Sequence, residues 1–104
     1  MGNQYVELAE KKGYYYANGE CSITISRIDG CISGEFRGIM GAITPESING
    51  FRINQDKTPP EIYLDWHGTG GDERHTLLGK IKNLQQAETW VDNVNQLYSP
   101  QHLN

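Results

Sequence analysis

The chain has 104 residues, 37% of them hydrophobic, and a formal net charge of −4. That length holds one domain with one core. The acidic balance argues against nucleic acid, whose binding draws on basic residues that neutralise phosphates, and against an anionic membrane surface. No apolar run approaches the ~20 residues that span a bilayer, and Met1-Gly2-Asn3-Gln4-Tyr5 lacks the charged and apolar regions of a signal peptide. Val6 also stands where a myristoylation pattern wants Ser or Thr. The expectation is a cytoplasmic single domain over 1–104, with 99–104 as a short polar tail.

Residues 4–9 alternate weakly and read as a first strand, ended by a turn at 10–13. Tyr14–Ala17 is aromatic and β-prone. Asn18-Gly19 and Asp29-Gly30 are two-residue hairpin signals, because both residue types tolerate positive φ. They frame a strand at 20–28 and its return at 31–40. Tight turns there set Ile25 opposite Gly34 and Ile23 opposite Phe36 on an apolar face, with Tyr14 and Tyr16 beside Ile23 and Cys21. The polar residues fall on the other face, as a half-buried antiparallel sheet requires. Thr44-Pro45-Glu46-Ser47 fits one helical turn with Pro45 at its first position. Asn49-Gly50 then breaks to a strand at 51–54, and 55–60 is a polar loop.

Glu61–His67 alternates well: Ile62, Leu64 and Trp66 inward, Glu61, Tyr63, Asp65 and His67 outward. A loop at 68–73 leads to a strand at 74–82, with Leu77, Gly79 and Ile81 expected inside. A helix over Leu84–Tyr98 follows directly. Leu84, Ala87, Val91, Val94 and Tyr98 step by three or four, and Trp90 and Leu97 widen the stripe, so one face seeks a core. Asn83 is the expected N-cap, with Gln86 three residues on as in a capping box. Ser99-Pro100 ends the helix. The fold class expected is mainly β (α+β): about seven antiparallel, meandering strands in a curved sheet, sandwich or barrel, closed by one C-terminal amphipathic helix.

No complete catalytic, cofactor or metal motif is present. Cys21 and Cys31 are expected on opposite faces and ends of one hairpin, too far apart for a disulfide, and neither has the basic neighbour a catalytic thiolate needs. Asp65, His67 and His75 invite a metal reading. However, pairing His67 with Arg74 and Trp66 with His75 sends the two imidazoles to opposite faces, and ligands must converge. Gly68-Thr69-Gly70-Gly71 joins two strands and runs into Asp72 and Glu73, which repel phosphate, so it is no phosphate cradle. The feature with most weight is an acidic strip with an aromatic centre: Glu61, Tyr63, Asp65 and His67 outward, Asp72 and Glu73 from the loop, and Tyr15 extending it from a neighbouring strand.

Seven alternating runs followed by a helix bearing Leu84, Ala87, Trp90, Val91 and Val94 resemble a pleckstrin-homology-type architecture in order of elements. Lipid-headgroup binders of that family carry basic residues on the first hairpin. Here Lys11 and Lys12 lead into Tyr14-Tyr15-Tyr16, with no arginine. The functional expectation is a protein-binding module for a partner with a basic surface. Its sharper form is a neutralising immunity protein or antitoxin that blocks a basic active site. The alternatives are a small-ligand-binding barrel or sandwich, with glycines 34, 38 and 41 leaving room inside, and a metal-dependent enzyme using Asp65, His67 and His75.

Overall fold

The computed structural model describes residues 5–19, 22–34, 45–68 and 70–98. Strands β1 (Glu7–Glu10), β2 (Tyr14–Ala17), β3 (Ser22–Ile25) and β4 (Ile32–Gly34) form one antiparallel sheet in that order. Strands β5 (Ile48–Asn54), β6 (Glu61–His67) and β7 (Glu73–Lys80) form a second. A 3-10 turn at Pro45–Ser47 precedes β5, and helix α1 (Leu84–Tyr98) follows β7. The fold is thus α+β and mainly β, with two sheets that do not close into a barrel. Among the described residues no helix is long and apolar enough to cross a membrane. The tail 99–104, Cys21, the return strand beyond Gly34, glycines 38 and 41 and Thr44 lie outside the described residues.

In the first sheet both hairpins keep the expected faces but shift register by two residues. Tyr16 pairs with Ile23 and Tyr14 with Ile25; Ile25 pairs with Ile32 and Ile23 with Gly34. The wider turn wins because side chains satisfy its backbone. Ser26 Oγ accepts the Ile28 N–H and Asp29 Oδ1 accepts the Cys31 N–H, at 3.1 and 3.0 Å. Ser26 N–H and Cys31 C=O close the turn at 2.9 Å. Ile28, expected in a strand, is therefore at a turn and 93% exposed. The first strand starts at Glu7, and β5 starts at Ile48, passing through Asn49-Gly50 with an irregularity instead of breaking there.

The second sheet departs further. Tyr63 pairs with Leu77, Asp65 with His75, Trp66 with Arg74 and His67 with Glu73, one residue from the expected register. Between Ile62 and Tyr63 a bulge leaves Leu78 as the extra residue. Leu78 and Ile81 are both buried although three apart, which unbroken alternation forbids. Leu77 accordingly turns outward and is half exposed. The Leu78 carbonyl, displaced from the ladder, accepts a buried hydrogen bond from the Tyr16 hydroxyl at 2.7 Å. This bond ties the first sheet to the second.

Helix α1 seals both sheets. Asn83 Oδ1 caps the Gln86 N–H at 3.1 Å, while the Gln86 side chain bonds the Leu8 carbonyl instead of completing a capping box. Ala87, Trp90, Val91, Val94 and Tyr98 are buried in one core with residues of both sheets. Trp90 donates to the Ala9 carbonyl and sits edge-on to Tyr14 and Phe51, with ring centroids 6.4 and 5.2 Å away. Tyr98 donates to the Gly30 carbonyl at 2.8 Å, and its ring lies so close that a Cβ at residue 30 would meet it at 2.9 Å. Burial pushes the Tyr98 phenol far above its ordinary pKa, so it remains a donor.

A Tyr16→Phe substitution keeps the ring and removes the tie to Leu78. It is expected to lower unfolding stability by about 0.5–1.5 kcal/mol, the net worth of one hydrogen bond, because Asn18 Nδ2 still reaches the same carbonyl at 3.4 Å. Urea denaturation of the two proteins measures this.

Candidate functional site

The alternation of β6 buries Ile62, Leu64 and Trp66 and turns Glu61, Tyr63, Asp65 and His67 to the outer face. Strand β5 sets Arg52 beside Tyr63, and β7 sets Leu77 on its other side. The centre of the face is thus a row across three strands: Arg52, Tyr63, Leu77. The Arg52 guanidinium carbon lies 4.8 Å from the Tyr63 ring centre, a cation–π arrangement. The Tyr63 hydroxyl donates to Glu61 Oε1 at 2.9 Å, and that bond raises the phenol pKa.

Next to this row Asp65 holds two hydrogen-bond partners, Arg52 and His75. Arg52 grips it with Nε and Nη2 at 3.0 and 3.2 Å, and His75 Nδ1 is 2.7 Å from Oδ1. Partial burial pushes the Asp65 carboxyl up. The hydrogen bonds and charges of Arg52 and His75 outweigh that and hold it below its ordinary value of 3.8. Asp65 is therefore ionised at neutral pH and can only accept, so His75 Nδ1 carries the proton between them. At the loop end Arg74 Nε bonds Asp72 at 2.7 Å and lowers its pKa, while His67 Nδ1 lies 3.1 Å from Asn49 Oδ1.

The register slip corrects the expected site in three ways. His67 and His75 share the outer face, with Asp65 between them in the ladder, and His75 does not pack beside Trp66. The Trp66 indole N–H instead donates to Thr76. Among the described residues, however, no three His, Cys, Asp or Glu side chains are grouped to hold a metal ion. Second, the strip is mixed in charge, because Arg52 and Arg74 take up Asp65 and Asp72. Third, Tyr15 does not extend it: β2 belongs to the other sheet, and Lys11 Nζ lies 4.4 Å from its ring. Glu61, Tyr63, Asp65, His67 and Glu73 do share one face, with Asp72 at its end.

Sequence reasoning missed Arg52 and Leu77. The signal for Leu77 is the three-residue step between Leu78 and Ile81, interrupted by Gly79, which marks a bulge. Cys21, Gly38 and Gly41 lie outside the described residues, and Gly34 and Cys31 do not support the ligand-core or nucleophile readings. Gly34 gives no internal room, because a Cβ there would collide with the Ser22 carbonyl. Cys31 is a free, exposed thiol, but its hydrogen bond to Asp29 raises its pKa, the opposite of nucleophile activation. No protein-family model matches the chain, and no curated protein or solved structure is significantly similar to it.

The Asp65 pKa is lower in the folded state than in the unfolded chain. Its stabilisation is therefore fully present above the unfolded value and is lost as pH falls through the folded one. An Asp65→Asn variant is expected to be less stable than the parent at neutral pH, with the difference narrowing in acid, below the ordinary carboxyl value of 3.8. Denaturation midpoints at neutral pH and in acid check this.

Proposed function

We propose that this chain is a protein-binding module that docks through the outer face of β5, β6 and β7. The observation that carries the reading is the Arg52–Tyr63–Leu77 row. Tyr and Arg are the residue types that dominate binding hot spots, and here they stand beside a half-exposed leucine. Arg52 is held by Asp65 and stacked on Tyr63, so little side-chain freedom remains to be lost on docking. Leu77 adds apolar area that a solvated sheet face normally lacks.

The partner fitting this face is a protein with an apolar recess rimmed by basic groups. Glu61 and Glu73 flank the row and favour encounter with positive charge. Blocking of a basic active site, as an immunity protein or antitoxin does, is the sharper form of the same reading. Asp65 and Asp72 are already bound by arginines, so Tyr63 and Leu77 carry that form, with acidity as a steering term.

The immobilised protein is expected to retain a specific partner from lysate of its source cells. Tyr63→Ala and Leu77→Ser should each weaken capture by about tenfold or more, equivalent to at least ~1.4 kcal/mol, with the thermal midpoint unchanged. Capture of nothing, or capture by both variants equal to the parent's, overturns the proposal.

A further inference from the structure

A second binding feature lies on the edge of the same sheet and does not depend on the outer-face reading. Strand β5 is an edge strand. Phe51 turns both its backbone groups away from β6 and toward α1. Its N–H donates to Asn95 Oδ1 at 2.7 Å, and its C=O accepts from Asn95 Nδ2 at 2.9 Å. One side-chain amide thus stands in for one residue of a neighbouring strand. Strand alternation places the N–H and C=O of Ile53 on this same edge. Beyond Asn95 the edge faces a surface groove of about 490 Å³ between β5 and α1, bordered by Ile53, Gln55, Glu88, Val91 and Asp92.

Three properties suit this groove to an added strand. No lysine or proline stands between Phe51 and Gln55, and past the Asn95 cover on Phe51 the edge at Ile53 borders the groove. Val91 gives the groove an apolar floor. Its helix wall is acidic: Glu88 and Asp92 are one turn apart on α1 and both exposed. Among the described residues bordering the groove the cation is Arg52, which is already engaged with Asp65. We propose that this edge binds an extended peptide segment bearing lysine or arginine, by β-strand addition beside Ile53. Backbone hydrogen bonds supply the pairing, and the Asp92 carboxylate, joined by Glu88 once its Oε2 gives up the 3.0 Å bond from Gln55 Nε2, selects the basic side chain.

The test titrates the isotopically labelled chain with the synthetic peptide acetyl-Thr-Val-Lys-Val-Thr-Val-amide and follows backbone amide resonances. The expected shifts centre on Phe51, Ile53 and Gln55, with Val91 and Asp92 following. Affinity should be roughly tenfold or more above that of the same peptide with Glu in place of Lys. A peptide N-methylated along one edge should not bind. The double variant E88K/D92K should reverse the charge preference, and Ile53→Pro, tolerated where an edge N–H points outward, should abolish binding. Tyr63→Ala should leave it unchanged, which separates this site from the outer face. Several outcomes overturn the proposal: no shifts, shifts centred on Tyr63 and Leu77, equal affinity for the Lys and Glu peptides, binding of the N-methylated peptide, or pairing of two copies of the chain in place of peptide binding.

Discussion

The buried hydrogen bond between the Tyr16 hydroxyl and the Leu78 carbonyl organises this molecule. A carbonyl inside a regular ladder is already paired and has little to offer a second sheet. The bulge at Leu78 displaces that carbonyl, and the hydroxyl of a residue only 1% exposed takes it up. The same bulge sets Leu78 in the core, turns Leu77 to solvent and brings His75 opposite Asp65. The inter-sheet tie and the composition of the outer face are therefore consequences of one extra residue in β7.

Helix α1 completes what the strands leave open. Each sheet has an edge toward the helix, and the helix answers both with polar side chains as well as apolar ones. Gln86 and Trp90 take the carbonyls of Leu8 and Ala9 on β1, and Asn95 takes both backbone groups of Phe51 on β5. Trp90 is among the largest fully buried side chains and remains hydrogen-bonded, the combination that allows an indole to be buried without an unpaired N–H.

Much of this was legible in the sequence, and the limits have physical causes. The helix runs over the expected residues because a 3.6-residue stripe of fifteen positions has one alignment that buries Trp90 and Val94 together. Glu61–His67 was equally plain from strict alternation. Registers were less legible. In the first sheet, side-chain hydrogen bonds from Ser26 and Asp29 stabilise a wider turn than Asp29-Gly30 suggests, and a shift of two residues leaves faces intact. In the second sheet a shift of one residue reverses faces, so the pairing of His75 with Asp65 was not visible without locating the bulge. Arg52 was hidden for another reason: its importance comes from a strand 13 positions away in the chain, and nothing local marks it.

The order of strands within each sheet also bears on how the chain reaches its final form. Among the described residues every strand pairs with its sequence neighbours, four in one meander and three in the other. Each meander closes short loops at small entropic cost and can assemble on its own timescale. The two meanders meet through the tyrosine bridge, the Asn18 amide on the same carbonyl, the Val6 N–H on the Lys80 carbonyl and the core they share with α1. Docking one meander on the other joins segments distant in the chain, so its loop-closure cost exceeds that of either meander alone.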